Sequence, residues 1–130
     1  RQVDFKELAK DLNKEESQNP GSVLAYQGDK IIPVYSEDIQ LFYISDDKVF
    51  AHTKPEQAYR INDKLDNLEQ LFPHFFRANR QFLINRKAVK DVSQYFNRKL
   101  RVNLQFSFPD PVIVSRLKAN DFLHWLQESL

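Results

Sequence analysis

Cysteine and methionine are absent from this 130-residue chain, and glycine occurs only at Gly21 and Gly28. Without cysteine there is no thiolate nucleophile, no disulfide framework and no cysteine-ligated zinc. Two glycines cannot build the three-glycine turn of a dinucleotide site or a phosphate-cradling loop. Long apolar runs are missing too. No stretch approaches the ~20 residues of a membrane span, and no charged start leads into an apolar run in the manner of a signal peptide. The three histidines, His52, His74 and His124, stand far apart without ligand spacing, so each is expected to be a surface or packing residue. The carboxylate pairs Glu37-Asp38 and Asp46-Asp47 lie in polar turn sequence. No serine-centred nucleophile elbow is present. The expectation is a chain that is not an enzyme and holds no metal or cofactor.

What is present is a globular composition, 42% hydrophobic and 13% aromatic, at a length that suits one domain with a substantial core. The formal charge of +1 hides an uneven distribution. Residues 1 to 76 carry 9 basic and 14 acidic side chains, a net of −5, and residues 77 to 130 carry 10 and 4, a net of +6. Sign asymmetry of this kind points toward a polyanionic partner, against the plainer reading of a solvated basic face. The absence of cysteine suits a reducing cytosol. A chain that starts at Arg1 without methionine is expected to be a piece of a longer protein.

Along the chain, Val3, Phe5, Leu8 and Leu12 have a loose helical spacing that Pro20-Gly21 closes. Residues 1–21 are therefore expected to be a helical linker. Short β-type runs follow. Val23 to Tyr26 and Ile31 to Tyr35 flank Gly28-Asp29, a hairpin signal, and Pro33 marks the second run as an edge strand or a bulged one. Ile39 to Ile44, Val49 to Thr53 and Gln57 to Ile61 are further strands, with Ser45 to Lys48 as a turn. Asn62 is a candidate N-cap for a short helix bearing Leu65, Leu68, Leu71 and Phe72, stopped by Pro73. Strands are expected again between Phe75 and Phe108, with Asn97-Arg98 as a turn, and at Val112 to Val114. Ser115 is the expected cap of a closing helix whose buried stripe is Phe122, Leu123, Trp125 and Leu126.

The most informative stretch is Phe75-Phe76-Arg77-Ala78-Asn79-Arg80-Gln81-Phe82-Leu83-Ile84-Asn85, which sets two arginines and three amides between apolar anchors. An arginine fork matches guanine O6 and N7 or a phosphate, and amides pair with adenine edges. DNA or RNA binding competes here with Arg77 and Arg80 as ordinary surface bases, which contribute little when exposed. Tyr95-Phe96-Asn97-Arg98-Lys99 joins aromatics to bases and suits stacking on single-stranded bases, or the closing of a core. Ser115-Arg116-Leu117-Lys118 brings an arginine to a helix start, where a phosphate is favoured.

These residues resemble the signature of LytTR-type DNA-binding domains. The likeness runs from Ser22 to Leu126 through Glu37-Asp38-Ile39-Gln40-Leu41-Phe42-Tyr43-Ile44, the Phe75 to Asn85 stretch with Val89-Lys90, Asn97 to Leu100, and Val112-Ile113-Val114-Ser115-Arg116 before Trp125-Leu126. The resemblance implies a mostly β fold, an elongated β-sheet architecture with a short internal helix, an N-terminal linker helix and a C-terminal helix, the domain itself covering residues 22–130. It implies sequence-specific binding of double-stranded DNA at paired repeats by two protomers. It also implies the output half of a cytoplasmic bacterial two-component response regulator that controls transcription, behind a receiver domain addressed by a sensor kinase. Carried over by position, Asn79, Arg80 and Arg116 are expected at DNA bases, with Lys48 from a loop in which Asp46 and Asp47 replace the usual basic residues. Arg77, Lys87, Arg98, Lys99, Ser115 and Lys118 are expected at phosphates. The alternatives are a β-barrel for single-stranded nucleic acid or RNA, stacking on Tyr95 and Phe96, and a protein-interaction module using the acidic first part.

Overall fold

Alternation of apolar and polar residues with a period of two runs through most of this chain, and strands follow from it. A computed structural model describes residues 21–128, which form ten strands and two α-helices. In chain order they are β1 Ser22–Gln27, β2 Lys30–Tyr35, β3 Ile39–Ser45, β4 Lys48–Thr53, β5 Gln57–Ile61, α1 Leu65–Leu71, β6 Phe76–Asn79, β7 Phe82–Ile84, β8 Val89–Tyr95, β9 Lys99–Leu104, β10 Val112–Val114 and α2 Arg116–Gln127. Seven strands make an open antiparallel sheet in the order β2-β1-β5-β4-β3-β7-β6, and a second sheet has the order β10-β9-β8. Neither sheet closes, so the alternative of a nucleic-acid-binding barrel does not describe this fold. The expected linker helix in residues 1–21 lies outside the described residues apart from Gly21.

Turn chemistry sets the registers. Gly28 has φ 59° in the two-residue turn that pairs Gln27 with Lys30. Asp46 and Asp47, at φ 52° and 62°, make the turn that pairs Ser45 with Lys48. Two successive left-handed residues suit the right-handed twist of the strands they join, and aspartate tolerates that conformation better than most residues. Pro33 sits in β2, the outer strand, where a missing N–H breaks no ladder. The helix α1 begins after Lys64 rather than at Asn62, because Asp63 supplies the local bonds. Its Oδ1 accepts from the Lys64 amide at 2.8 Å and from Asn67 Nδ2 at 2.8 Å.

The large sheet is buried on both faces around β3. Phe42 points toward α1, its ring 5.1 Å from Phe72 and 5.9 Å from Phe75, within a cluster that includes Leu65, Leu68 and Leu83. Leu41 points the other way, into a cluster that joins the two sheets and α2 through Phe82, Ile84, Val102, Val114 and Phe122. The helix α2 is fixed by Phe122 and Trp125, each 5.3 Å from Phe76. Trp125 also donates from Nε1 to the His74 carbonyl, and Arg86 donates to the Trp125 carbonyl at 2.8 Å and 3.1 Å. Leu123, expected in the buried stripe, is instead exposed, because Phe122, Trp125 and Leu126 already supply the face that meets the sheet.

One polar group in this core carries a pH dependence. His52 of β4 is buried, its ring stacks on Phe106 at 4.2 Å and meets Phe108 edge-on at 5.7 Å, and its Nε2 has no hydrogen-bond partner among the described residues. Burial holds its pKa below the ordinary 6.5, and Glu56 opposes that shift only in part. Below pH 6.5 the unfolded chain therefore takes up a proton that the folded chain resists. Stability from this residue is fully present above that pH and is lost as the pH falls below it. Thermal melts from pH 8 to pH 5 should show this decline, and His52→Phe should flatten it; an equal decline in the variant would assign it elsewhere.

Candidate nucleic-acid interface

The antiparallel registers carry four loops to one edge of the molecule. Tyr43 pairs with Phe82, and the Ile44 amide donates to the Gln81 carbonyl at 3.0 Å, so the Asp46-Asp47 turn lies beside the Arg80-Gln81 turn. Asn79 Nδ2 donates to the Ile113 carbonyl at 2.9 Å, which draws the end of β10, and with it Ser115 and Arg116, to the other side of the Arg80 turn. Leu100 pairs with Val114, so the Phe96–Arg98 turn sits beside Ser115. Asn97 and Arg98 are both left-handed there, at φ 60° and 61°. The order along the edge is Lys48, Arg80, Ser115-Arg116, then Asn97 to Lys99.

Adjoining clefts follow that order. One of about 830 Å³ holds Lys48, Arg60 and Arg80 together with Asp47, Asp63 and Asp66. The next, about 530 Å³, is bordered by Arg80, Lys99, Ser115 and Lys118. The last, about 590 Å³, lies between Asn97–Lys99 and Ser115–Leu117. Arg80 belongs to the first two and Lys99 to the last two, so the basic groups form one continuous surface rather than separate faces.

Individual residues on this edge differ in what they can offer. Arg80, Arg98 and Arg116 are exposed, and no salt bridge among the described residues engages them. Ser115 precedes α2 in extended conformation, and its hydroxyl makes no capping bond. The first amides of a helix have no intrahelical acceptor, so this junction presents donors of its own. Lys118 keeps its charge at the edge while donating to the Arg77 carbonyl at 3.0 Å and lying 5.9 Å from the Phe76 ring. Lys99 lies over Phe96, 5.7 Å from its centroid.

Of the other residues expected to touch DNA, Asn79 and Arg77 border these same clefts with their polar groups engaged inside the fold, and Lys87 lies elsewhere. The amide of Asn79 is occupied at both ends, by the Ile113 carbonyl and by the Gln81 N–H at 2.8 Å. Arg77 has a side chain only 15% exposed. It donates to the Asn79 carbonyl, the Arg80 carbonyl, Asp66 and Glu69, all within 2.8–3.0 Å. Lys87 follows Asn85, whose side chain donates to the Ile39 carbonyl, at the end of β7 opposite Arg80. It borders none of the three clefts. Two exposed residues on the edge were not expected from sequence. Arg60 of β5 borders the cleft that holds Lys48 and Arg80, and Leu117, 85% exposed, borders the last cleft. Arg60 is hidden in sequence by the acidic first part, and only the β4–β5 register brings it forward.

An open β scaffold that aligns arginine-bearing loops and a helix start along one edge has the features of a polyanion-binding module. Comparison with known proteins narrows that class. The family model for the LytTr DNA-binding domain matches residues 29–127, and the chain belongs to this family. It is a DNA-binding domain. Over 92 residues it is 29% identical to the sensory transduction protein LytT of Enterococcus faecalis (strain ATCC 700802 / V583), a match covering 69% of this chain and 38% of that protein. The chain thus spans little more than a third of that relative. The fold is shared with the solved LytTr DNA-binding domain of a Bacillus cereus protein described as a methyl-accepting/DNA response regulator. That match has a TM-score of 0.71 and 22% identity, and covers 83% of this chain and 98% of the other.

Proposed function

We propose that the edge running from Lys48 through Arg80 to Arg116 and Lys99 recognises a specific sequence in double-stranded DNA, as the output domain of a bacterial response regulator that controls transcription. The observation that carries this reading is the alignment of Arg80, Arg116 and the Asn97–Lys99 turn in adjoining clefts. Arg80 and Arg116 are the base-reading forks, and Lys48 is a third base contact at the acidic turn. Arg98, Lys99, Ser115 and Lys118 hold phosphates and so set the register of the protein on the duplex. Leu117 offers apolar surface for a thymine methyl group. Asn79 acts on bases indirectly, by fixing the turn that carries Arg80. Lys87 stands apart from this surface.

The protein acts without catalysis, in the cytoplasm, behind a receiver domain that a sensor kinase addresses. Two protomers occupy paired repeats on the operator. The relative named as a sensory transduction protein supports this regulatory setting.

Selection of bound sequences from a random duplex pool tests the reading. A defined repeat should emerge, and the selected duplex should outcompete single strands of the same sequence at matched salt. Preference for the single strand would contradict duplex recognition. Lys99→Gln should weaken selected and random duplexes alike and reduce the salt slope by about one unit, as loss of one phosphate contact does. An unchanged slope would remove Lys99 from the phosphate contacts.

A further inference from the structure

We propose that Arg77 is a positioning residue for DNA recognition: with Asp66 and Glu69 of α1 it locks the β6–β7 turn so that Arg80 is held in one reading position. The proposal rests on base reading by Arg80 and adds a determinant of specificity that does not itself touch DNA.

The turn is the place where regular sheet bonding lapses. The β6–β7 register shifts between Arg77 and Asn79, with Ala78 as the extra residue, and Arg80 and Gln81 form the turn between the two strands. Side chains and neighbouring strands take over. The Arg77 guanidinium gives Nε to the Asn79 carbonyl at 2.8 Å and Nη2 to the Arg80 carbonyl at 2.9 Å. Asn79 Oδ1 accepts from the Gln81 amide, and the Gln81 carbonyl accepts from Ile44 of β3. Every one of these bonds flanks Arg80, and none uses its side chain.

Arg77 is in turn fixed from α1. Its Nη1 lies 2.8 Å from Asp66 and 3.0 Å from Glu69. Four of the five N–H donors an arginine carries thus have internal acceptors. A phosphate that drew on these four engaged donors would release the turn. Its planar fork spans two carbonyls on one side and two carboxylates on the other, which a lysine ammonium cannot reproduce. A base-reading side chain on a fixed root loses less freedom on binding than one on a loose loop, and it rejects a displaced base more sharply. The carboxylates have an opposed effect on affinity: they fix the turn while placing negative charge beside the DNA surface.

Substitutions in the full chain test this against a selected duplex and a random duplex. Arg77→Lys keeps the charge, and it should weaken the selected duplex by about tenfold while changing the random duplex by less than about twofold, with the salt slope unchanged. In an Arg80→Ala background the same substitution should have almost no further effect, since it acts through Arg80. Asp66→Asn with Glu69→Gln keeps Arg77 and removes two negative charges. Random-duplex affinity should rise, and the ratio of selected to random affinity should fall. Thermal melting of each variant reports whether the fold is retained.

Equal loss on both duplexes with a shallower salt slope would make Arg77 a phosphate contact and overturn the proposal. So would additive effects of Arg77→Lys and Arg80→Ala, or an unchanged affinity ratio in the double carboxamide variant. A wild-type chain that binds selected and random duplexes alike would overturn base reading by Arg80 itself, and the lock with it.

Discussion

Arg80→Ala and Arg116→Ala are each expected to lose about 1–3 kcal/mol on the selected duplex and to relax base preference at the position each reads. Both guanidinium groups are exposed at the same edge, Arg80 on the β6–β7 turn and Arg116 at the first residue of α2. Their supports differ, and the difference shapes the expected result. Arg80 stands on a turn held by Arg77, Asn79 and β3, so its loss removes a fork already in place. Arg116 stands where helix amides and the Ser115 hydroxyl remain available to a phosphate, so residual binding should be greater in its absence. Selection repeated with each variant should lose information at separate positions of the repeat. Equal losses on selected and random duplexes would remove both from base reading.

The largest effect on stability is expected from Phe122→Ala, about 3–5 kcal/mol. Phe122 is fully buried, with its ring 5.3 Å from Phe76 and 5.5 Å from Trp125, in the cluster where α2 meets both sheets. A loss of that size is a large share of the roughly 5–15 kcal/mol that keeps a domain folded. The same cluster fixes the direction of α2, whose N-terminus carries Arg116. DNA affinity should therefore fall together with the unfolding midpoint. Urea unfolding checks the first part, and a change below about 1 kcal/mol would show that the cluster repacks around the gap.

Local chemistry made much of the fold legible in sequence. Gly28-Asp29 between two β-type runs gave a hairpin, Pro33 an outer strand, and Ser115 the start of the last helix, because each depends on neighbours within a few residues. The helix start at Asn62 was misplaced because Asp63 bonds to Lys64 and Asn67 and shifts the cap. Leu123 was placed inside because helical spacing alone does not say how wide a stripe the sheet will cover.

In the candidate site, the placement of the turn-borne basic residues on one edge was legible, and the internal partners of Arg77 and Asn79 were not. Nothing near Arg77 in sequence announces Asp66 and Glu69, and nothing near Asn79 announces the Ile113 carbonyl. Lys87 resembles its basic neighbours until the chain reversal at β7 carries it to the other end of the sheet. Arg60 lies in the half with net charge −5, yet it faces the same cleft as Lys48 and Arg80. The division into an acidic and a basic part thus agrees with the sign of a DNA partner, and strand register decides which basic residues share one edge.

Recognition by the proposed surface requires that one edge, not the whole basic half, meets the duplex. Titration of the chain with the selected duplex, followed by amide NMR shifts, tests it most directly. Shifts are expected at Lys48, at Arg80-Gln81, at Asn97 to Lys99 and at Ser115 to Leu117, with Gly28-Asp29 and Lys87 left in place. Shifts centred on Lys87 or on the β1–β2 hairpin, or none at low salt, would contradict it.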